Sequence, residues 1–174
     1  MTPALNETAI LPQVPPLTLE QLSALLLPEP KPTGALTLRT PDGPVHLTSY
    51  AGALRIVMIL SLECSLCATY APVLETLCAE HGLENFQPLG VLMNWQSDDA
   101  VRAYQKAHAI TFPIGHVPVY EIYGGLKLPG ATFLYYPSYA FVDRLGNMRA
   151  FVHGEHAFFQ NMEENTRALL EVLL

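Results

Sequence analysis

The sequence predicts an α/β fold in which a central mixed β-sheet is flanked by helices. Half of its 174 residues are hydrophobic and 14% are charged, which is enough apolar material for one sizeable core. A near-continuous apolar run at residues 55–62 precedes apolar residues at helical spacing over 65–81, and a second run at 86–93 precedes another helical pattern over 97–108. This order of strand, helix, strand and helix favours parallel strands with helices on their faces.

Residues 1–34 are predicted to form a proline-rich N-terminal arm that packs on the domain or on a partner. Nine of the fifteen prolines lie in the first 44 residues, which excludes a continuous helix or a central strand there. Thr18 is the predicted N-cap of a short helix that ends before Pro28. The remaining residues, 35–174, are predicted to form a single domain.

The domain is expected to open with a β-hairpin, because residues 36–39 and 45–47 alternate in polarity around a turn at 41–43. Gly82 is the predicted C-cap of the first long helix, and Ser97 is the predicted N-cap of the second. Residues 110–136 contain three prolines and a glycine pair and carry no firm assignment.

The C-terminal part is predicted to contain two further strands and a helix. The strands lie at residues 138–143 and 148–153 and are joined by a turn at 144–147. The last segment, 157–174, has the apolar spacing of an amphipathic helix that closes the chain.

The charge of the chain limits its partners and its location. A formal net charge of −7, a pI near 5.2 and the lack of a basic cluster argue against binding to nucleic acid or to an anionic membrane. The first 30 residues contain no Lys or Arg, unlike a secretory signal. The strongest apolar run, 56–62, is far shorter than the about 20 residues that span a bilayer. We therefore expect a cytoplasmic protein without a membrane span.

Two of the three cysteines form a C-x-x-C pair, Cys64 and Cys67, at the junction of a predicted strand and helix. A helix N-terminus favours a thiolate, so Cys64 is the expected nucleophile and Cys67, one turn later, the resolving cysteine. Glu63 precedes the pair, and its carboxylate opposes thiolate formation. We consider two roles for Glu63, a proton acceptor or an ordinary solvated side chain.

A metal site is the competing interpretation of these cysteines. A structural zinc site needs four ligands, but Cys78 lies eleven residues farther along the same helix, where we expect a buried structural thiol. His153 and His156 do not complete a recognised zinc spacing. We therefore expect no metal and no cofactor other than the disulfide.

From Ala35 onward the sequence resembles the thioredoxin superfamily, and within it the TlpA/ResA-type thiol:disulfide oxidoreductases that border on the AhpC/TSA peroxiredoxins. The resemblance is carried by the hairpin with its Asp-Gly turn, Pro72 five residues after the second cysteine, Thr111-Phe112-Pro113, and the segment 137–146. It implies a thioredoxin-like fold. It also implies a cis bond at Tyr136-Pro137 that faces the cysteines, with the Tyr136 backbone available to bind a substrate chain. Pro129 is the rival cis-proline, but its spacing to Gly146 indicates that it belongs to an insertion.

Three positions depart from the family pattern. Met58 stands where thioredoxin keeps a buried Asp that manages the proton of the second cysteine. Tyr70 stands where TlpA-like proteins often carry Glu, and Glu63 replaces the usual aromatic residue before the first cysteine. The proton chemistry of this site is therefore expected to differ from that of thioredoxin.

The resemblance implies a thiol:disulfide oxidoreductase acting on protein or small-thiol disulfides, with thiols, disulfides or a reductase as partners, as a monomer or weak dimer. The first alternative is a peroxiredoxin-like peroxidase with Cys64 as the peroxidatic residue. Peroxiredoxins carry the motif P-x-x-x-T-x-x-C, and the corresponding residues here are Val57 and Ser61, so the proline is lost and only the hydroxyl is kept. Peroxiredoxins also place an Arg from the later strand region in the site, but no Arg lies between Lys127 and Arg144. The second alternative is a non-enzymatic binding module or a carrier that delivers Cu(I), an ion that two thiolates suit.

Overall fold

The computed structural model describes residues 13–174, which form one mixed eight-stranded sheet with helices on both faces. The strands are β1 (Lys31–Pro32), β2 (Thr37–Thr40), β3 (Gly43–His46), β4 (Leu54–Leu60), β5 (Phe86–Leu92), β6 (Ile114–His116), β7 (Ser138–Val142) and β8 (Asn147–Val152). Their order across the sheet is β1-β8-β7-β4-β5-β6-β2-β3. The predicted α/β class, the mixed sheet and the thioredoxin-like arrangement are confirmed.

In residues 13–174, five α-helices and two short 3₁₀ helices cover the sheet. The α-helices are α1 (Leu19–Ser23), α2 (Ser65–His81), α3 (Asp98–Ala107), α4 (Val119–Leu126) and α5 (Met162–Leu173). The 3₁₀ helices span Leu47–Tyr50 and Ala157–Asn161. The predicted C-terminal helix therefore begins as a 3₁₀ turn and becomes α-helical only at Met162.

Strand β4 lies at the centre of the sheet, and all seven of its residues are buried. It pairs in parallel with β5 and antiparallel with β7, so both of its edges are hydrogen-bonded. Its continuous apolar sequence reflects burial on both faces, as the sequence predicts, although the strand ends at Leu60 rather than at residue 62.

The sheet separates two hydrophobic clusters. The cluster on one face is completed by α1, α2, α3 and α5, and it includes Met58, Cys67 and Tyr139. The cluster on the other face is completed by the hairpin, the first 3₁₀ helix and α4, and it includes Val57 and Ile122. Neighbouring residues of β4 thus face opposite cores.

Helix α2 begins and ends where the sequence predicts. Cys64 is its N-cap, and Gly82 ends it with a positive φ of 80° that favours glycine. The Gly82 N–H donates to the Cys78 carbonyl at 2.8 Å. Pro72 lies inside the helix, where the family resemblance has it.

The segment 110–136 contains two elements that the sequence analysis leaves unassigned, β6 and α4. Strand β6 has only three residues and is held by pairing with β5. Helix α4 has no side-chain N-cap, contains Gly124 and Gly125, and ends at Lys127 in a left-handed conformation. Tertiary packing of Ile122 and Leu126 stabilises it, since local sequence signals are weak there.

The described part of the N-terminal arm packs on the domain. Thr18 caps α1 in a reciprocal capping box with Gln21, as predicted for the cap. Leu22 enters the α2 side of the core, and β1 pairs antiparallel with β8 at the sheet edge. Residues 1–12 of the predicted arm lie outside the described residues. Among residues 13–174 no helix has the length and apolar character needed to cross a membrane.

The contribution of the arm to stability can be tested at Leu22, which is 1% exposed. We expect Leu22→Ala to lower the free energy of unfolding by about 2–5 kcal/mol, because it leaves a cavity under α1. Leu19, on the same helix, is 63% exposed, and Leu19→Ala should change stability by no more than about 0.5 kcal/mol. Equal effects in urea denaturation would contradict a docked arm.

Candidate active site

Cys64 caps the N-terminus of α2 with its own sulfur. Its backbone is extended (φ −81°, ψ 112°), and its Sγ accepts a hydrogen bond from the Cys67 N–H at 3.1 Å. The Cys64 N–H donates to the Ser61 carbonyl at 3.1 Å, which closes a turn between the end of β4 and the helix. The helix dipole and this N–H donor favour a negative charge on the Cys64 sulfur once the pair is reduced.

Cys64 and Cys67 are joined by a disulfide whose Cα atoms are 5.2 Å apart. The two residues differ in exposure, because Cys64 is half-buried whereas Cys67 is fully buried in the core under α2. A sulfur from another molecule therefore reaches Cys64 before it reaches Cys67. This asymmetry fits the order of attack that the sequence predicts for the pair.

The Tyr136-Pro137 peptide bond is cis, as the resemblance implies. It immediately precedes β7, whose first residue, Ser138, pairs with Ile59 near the end of β4. The cysteine pair follows the end of the same strand. The cis-proline loop and the cysteines therefore lie at one edge of the sheet, while Pro129 is in the trans form and lies in the loop after α4.

A shallow cleft runs along this edge between the ends of β4 and β5. Its lining includes Ser61, Leu62, Asn94, Gln96 and the half-buried Tyr136. The lining thus combines polar side chains with apolar ones.

The loop after β8 also reaches this edge, a contact that the sequence analysis does not anticipate. Tyr139 pairs with Val152, which brings Gly154 against the cis-proline loop. A Cβ at Gly154 would overlap the Pro137 carbonyl oxygen and lie 3.3 Å from the Tyr135 Cβ. This contact could have been predicted from the two expected strands and their turn, because the antiparallel register of the strands places residue 154 opposite Pro137.

The three positions that depart from the family pattern have distinct environments. Met58 is fully buried, and the Tyr70 hydroxyl donates to the Phe159 carbonyl at 3.0 Å. Glu63 is exposed, and its backbone N–H donates to the Ser61 Oγ at 3.3 Å. An exposed carboxylate fits the solvated alternative for Glu63, and its role as a proton acceptor stays a prediction.

The third cysteine is a buried thiol, as predicted. Cys78 is 7% exposed, and its Sγ donates to the Phe86 carbonyl at 3.3 Å. Burial raises the pKa of the Cys78 thiol, and the nearby carboxylates of Glu75 and Glu84 raise it further. Cys78 therefore stays protonated and unreactive at neutral pH.

His153 and His156 lie near each other, with ring centroids 6.1 Å apart. Burial lowers the pKa of His156, and the neighbouring His153 adds to this effect. Among residues 13–174 no group of three or more His, Cys, Asp or Glu side chains is arranged to hold a metal ion.

The arginines near the central strands lie at the opposite edge from the cysteines. Arg55 is buried at the start of β4 and donates to the Leu47 carbonyl at 3.2 Å and to the Asp143 carbonyl. Arg149 pairs with the Asp143 carboxylate at 3.5 Å. These side chains are structural, and they do not approach Cys64.

The sheet order, the C-x-x-C disulfide at the N-terminus of α2 and the cis-proline loop beside it define a thioredoxin-like oxidoreductase. The chain belongs to the AhpC/TSA family, whose sequence profile matches residues 30–151, more than half of its length. A search of curated protein sequences found no match.

Solved structures with the same fold include several thiol:disulfide oxidoreductases. A thioredoxin-family thiol:disulfide interchange protein from Chlorobium tepidum is 20% identical with a TM-score of 0.67, covering 82% of this chain and 97% of that one. A DsbF homologue from Corynebacterium diphtheriae is 15% identical with a TM-score of 0.69, covering 83% and 88%. A secreted disulfide oxidoreductase from Mycobacterium tuberculosis, homologous to DsbE, is 18% identical with a TM-score of 0.57, covering 76% and 95%. The predicted thioredoxin-like fold and the predicted relation to the AhpC/TSA family are confirmed.

The expected cytoplasmic location is wrong. Structures that share this fold include the oxidoreductase from M. tuberculosis, which is described as secreted. The expectation rested on the lack of basic residues in the first 30 positions, a feature of one end of the chain rather than of the folded domain.

The different burial of the three cysteines predicts an order of alkylation. When the reduced, folded protein reacts with iodoacetamide at neutral pH, we expect Cys64 to be modified first, because it is half-buried at a helix N-terminus. Cys67 and Cys78 should react only slowly. Mass spectrometry of peptides measures the order, and the urea-unfolded protein, in which all three should react alike, is the control. Early modification of Cys78 would contradict its assignment as an inert thiol.

Proposed function

We propose that this protein is a thiol:disulfide oxidoreductase that acts on polypeptide substrates outside the cytoplasm, with Cys64 as the nucleophile and Cys67 as the resolving cysteine. The observation that carries the proposal is the half-buried Cys64 at the N-cap of α2, disulfide-bonded to a fully buried Cys67. The secreted M. tuberculosis relative supports the location.

The exchange uses two thiol–disulfide steps. The Cys64 thiolate attacks a substrate disulfide, so that a mixed disulfide forms and one substrate sulfur leaves with the electron pair and takes up a proton. Cys67 then loses its proton and attacks the Cys64 sulfur. The Cys64–Cys67 bond forms, the second substrate sulfur leaves as a thiolate and is protonated, and the substrate is reduced by two electrons. The same steps in reverse oxidise a dithiol.

The surface around Cys64 supports a polypeptide as the substrate. Leu66, in the first turn of α2, is 50% exposed, and Trp95, after β5, is 67% exposed. Phe133, in the loop before the cis-proline, is 75% exposed. All three belong to segments at the edge of the sheet from which the cysteines emerge, so apolar side chains of an unfolded substrate have surfaces to contact. The Tyr136 backbone, at the rim of the cleft, is proposed to pair with the substrate main chain.

A peroxidase remains the alternative to test, because the chain belongs to the AhpC/TSA family. The arginines at the start of β4 and around the β7–β8 turn engage carbonyl and carboxylate oxygens at the far edge of the sheet. They do not stabilise a peroxide bound at Cys64. This placement favours disulfide exchange over peroxide reduction.

Reduction of insulin disulfides by dithiothreitol tests the proposed activity. We expect the wild-type protein to accelerate it, Cys64→Ser to abolish the acceleration, and Cys78→Ser to retain it, because only Cys64 is an accessible nucleophile. Reduced Cys67→Ser, mixed with insulin after the dithiothreitol has been removed, should accumulate a mixed disulfide with the substrate, visible on a non-reducing gel. Consumption of hydrogen peroxide without any acceleration of insulin reduction would favour the peroxidase instead.

The polypeptide specificity can be tested at Trp95. We expect Trp95→Ala to raise KM for a protein disulfide about fivefold, the effect of losing about 1 kcal/mol of contact, and to leave the reduction of a small disulfide unchanged. Leu83→Ala is the matched control, because Leu83 is 63% exposed but precedes β5 at the opposite edge. A substrate surface elsewhere is indicated if the two variants behave alike.

A further inference from the structure

The Tyr139 hydroxyl is buried without a hydrogen-bond partner. Tyr139 is 0% exposed in β7, and its Oη is one of six buried side-chain polar atoms in the described chain that lack a partner. A buried hydroxyl without a partner destabilises the fold, and phenylalanine would fill the same space without that cost. We therefore expect this hydroxyl to find a hydrogen-bond acceptor in a state of the protein other than the disulfide state.

The strand register places Tyr139 beside Met58, the position at which thioredoxin has a buried Asp. Tyr139 pairs directly with Met58 across β4 and β7, so their side chains lie on the same face of the sheet. Both belong to the hydrophobic cluster that also contains the fully buried Cys67. The Tyr139 ring packs against Phe159, with centroids 5.0 Å apart, and the Phe159 carbonyl holds the Tyr70 hydroxyl of α2.

We propose that the Tyr139 hydroxyl donates a hydrogen bond to the Cys67 sulfur in the reduced protein and stabilises its thiolate during exchange. This inference rests on the proposed function, in which Cys67 is the resolving cysteine. The Tyr139 phenol on β7 supplies a hydrogen bond to the Cys67 sulfur that the apolar Met58 on β4 cannot supply. In the disulfide state the bond to Cys64 holds the Cys67 sulfur, and the Tyr139 hydroxyl has no partner. The proposed hydrogen bond forms when reduction frees the Cys67 side chain to turn toward β7.

The donor acts in both directions of the exchange. When Cys67 attacks the mixed disulfide, it must first lose its proton inside an apolar core, where a bare thiolate is strongly disfavoured. When the Cys64–Cys67 disulfide is reduced, Cys67 leaves with the electron pair and passes through the same thiolate. Tyr139 keeps its own proton throughout and stabilises the thiolate only as a hydrogen-bond donor. The proton that Cys67 loses passes to water, and the departing substrate thiolate takes up a proton from water.

The electrostatic surroundings keep Tyr139 in its donor form. Burial raises the pKa of the Tyr139 phenol far above its ordinary value, and the nearby Tyr70 phenol raises it further. Its neighbours on the flanking strands, Met58 and Val152, and the Phe159 ring are uncharged. Besides Tyr139, the titratable side chains in or packed against this cluster in the described residues are Cys64, Cys67, Tyr70, Cys78, Tyr104 and Tyr136.

The other buried polar atoms without partners are less suited to this role. Arg55 and Arg149 lie at the opposite edge of the sheet, and Tyr104 belongs to α3. His153 is packed against Tyr135 in the cis-proline loop, and Thr166 lies on α5. Tyr104 is 7% exposed and also has an unpaired hydroxyl, so Tyr104→Phe is a matched control for Tyr139→Phe.

The test follows the two steps of exchange separately in the full chain. The reduced protein is mixed with dithiobis(nitrobenzoate), whose first thionitrobenzoate is released by Cys64 and whose second is released when Cys67 resolves the mixed disulfide. We expect Tyr139→Phe to slow the second release about tenfold, as the loss of a hydrogen bond to a charged group implies, and to shift its pH midpoint upward. The first release should be unchanged, and Tyr104→Phe should match the wild type in both.

The thermal stability of the oxidised proteins provides a second measurement, in which Tyr139→Phe should be as stable as the wild type or more stable. A second release that keeps its rate and pH midpoint in Tyr139→Phe would overturn the inference, as would an equal change in Tyr104→Phe. If Tyr139→Phe does not fold, a crystal structure of the reduced wild-type protein decides whether Tyr139 Oη lies within hydrogen-bond distance of Cys67 Sγ. Failure of the wild type to reduce insulin, with both nitrobenzoate steps intact, would reject the proposed function and leave this inference standing.

Discussion

The antiparallel pairing of β4 with β7 is the constraint on which the site depends. It brings the turn that carries Cys64 and the loop that carries Pro137 to one edge of the sheet, although more than 70 residues separate them in the chain. The same pairing sets Met58 against Tyr139. Because side chains alternate between faces, a slip of one residue would move Tyr139 to the other core, away from α2.

Much of the fold can be predicted from the sequence because its central elements carry strong local signals. The apolar run of β4 and the periodicity and glycine cap of α2 are such signals, and the C-x-x-C spacing identifies the cysteines. Strand β6 and helix α4 lack them, since one has three residues and the other has no side-chain cap. The predicted hairpin of β7 and β8 places Gly154 opposite Pro137. Trp95 and Tyr139 join the site through strand order and register, which bring together residues far apart in sequence and cannot be seen in any single segment.

The two cysteines differ in burial because they occupy different positions at the start of α2. Cys64 belongs to the turn before the helix and remains half-buried, whereas Cys67 points into the core one turn later. Backbone N–H groups at the helix start stabilise a charge on the first sulfur. They do not serve the second, which sits among apolar side chains. In the proposed mechanism, we therefore expect the ionisation of Cys67 rather than that of Cys64 to limit the exchange.

The charged groups around the start of β4 lie at the edge of the sheet opposite the cysteines. Arg55, Asp143 and Arg149 form a buried network between the start of β4 and the β7–β8 turn. Burial lowers the pKa of Arg55, which Asp143 partly offsets. Such a network holds strand ends together, and the length of β4 separates it from the cysteines at the N-terminus of α2. The ionisation of Cys67 must then be controlled by nearby dipoles, and a buried phenol hydroxyl on the adjacent strand is a dipole of the required kind.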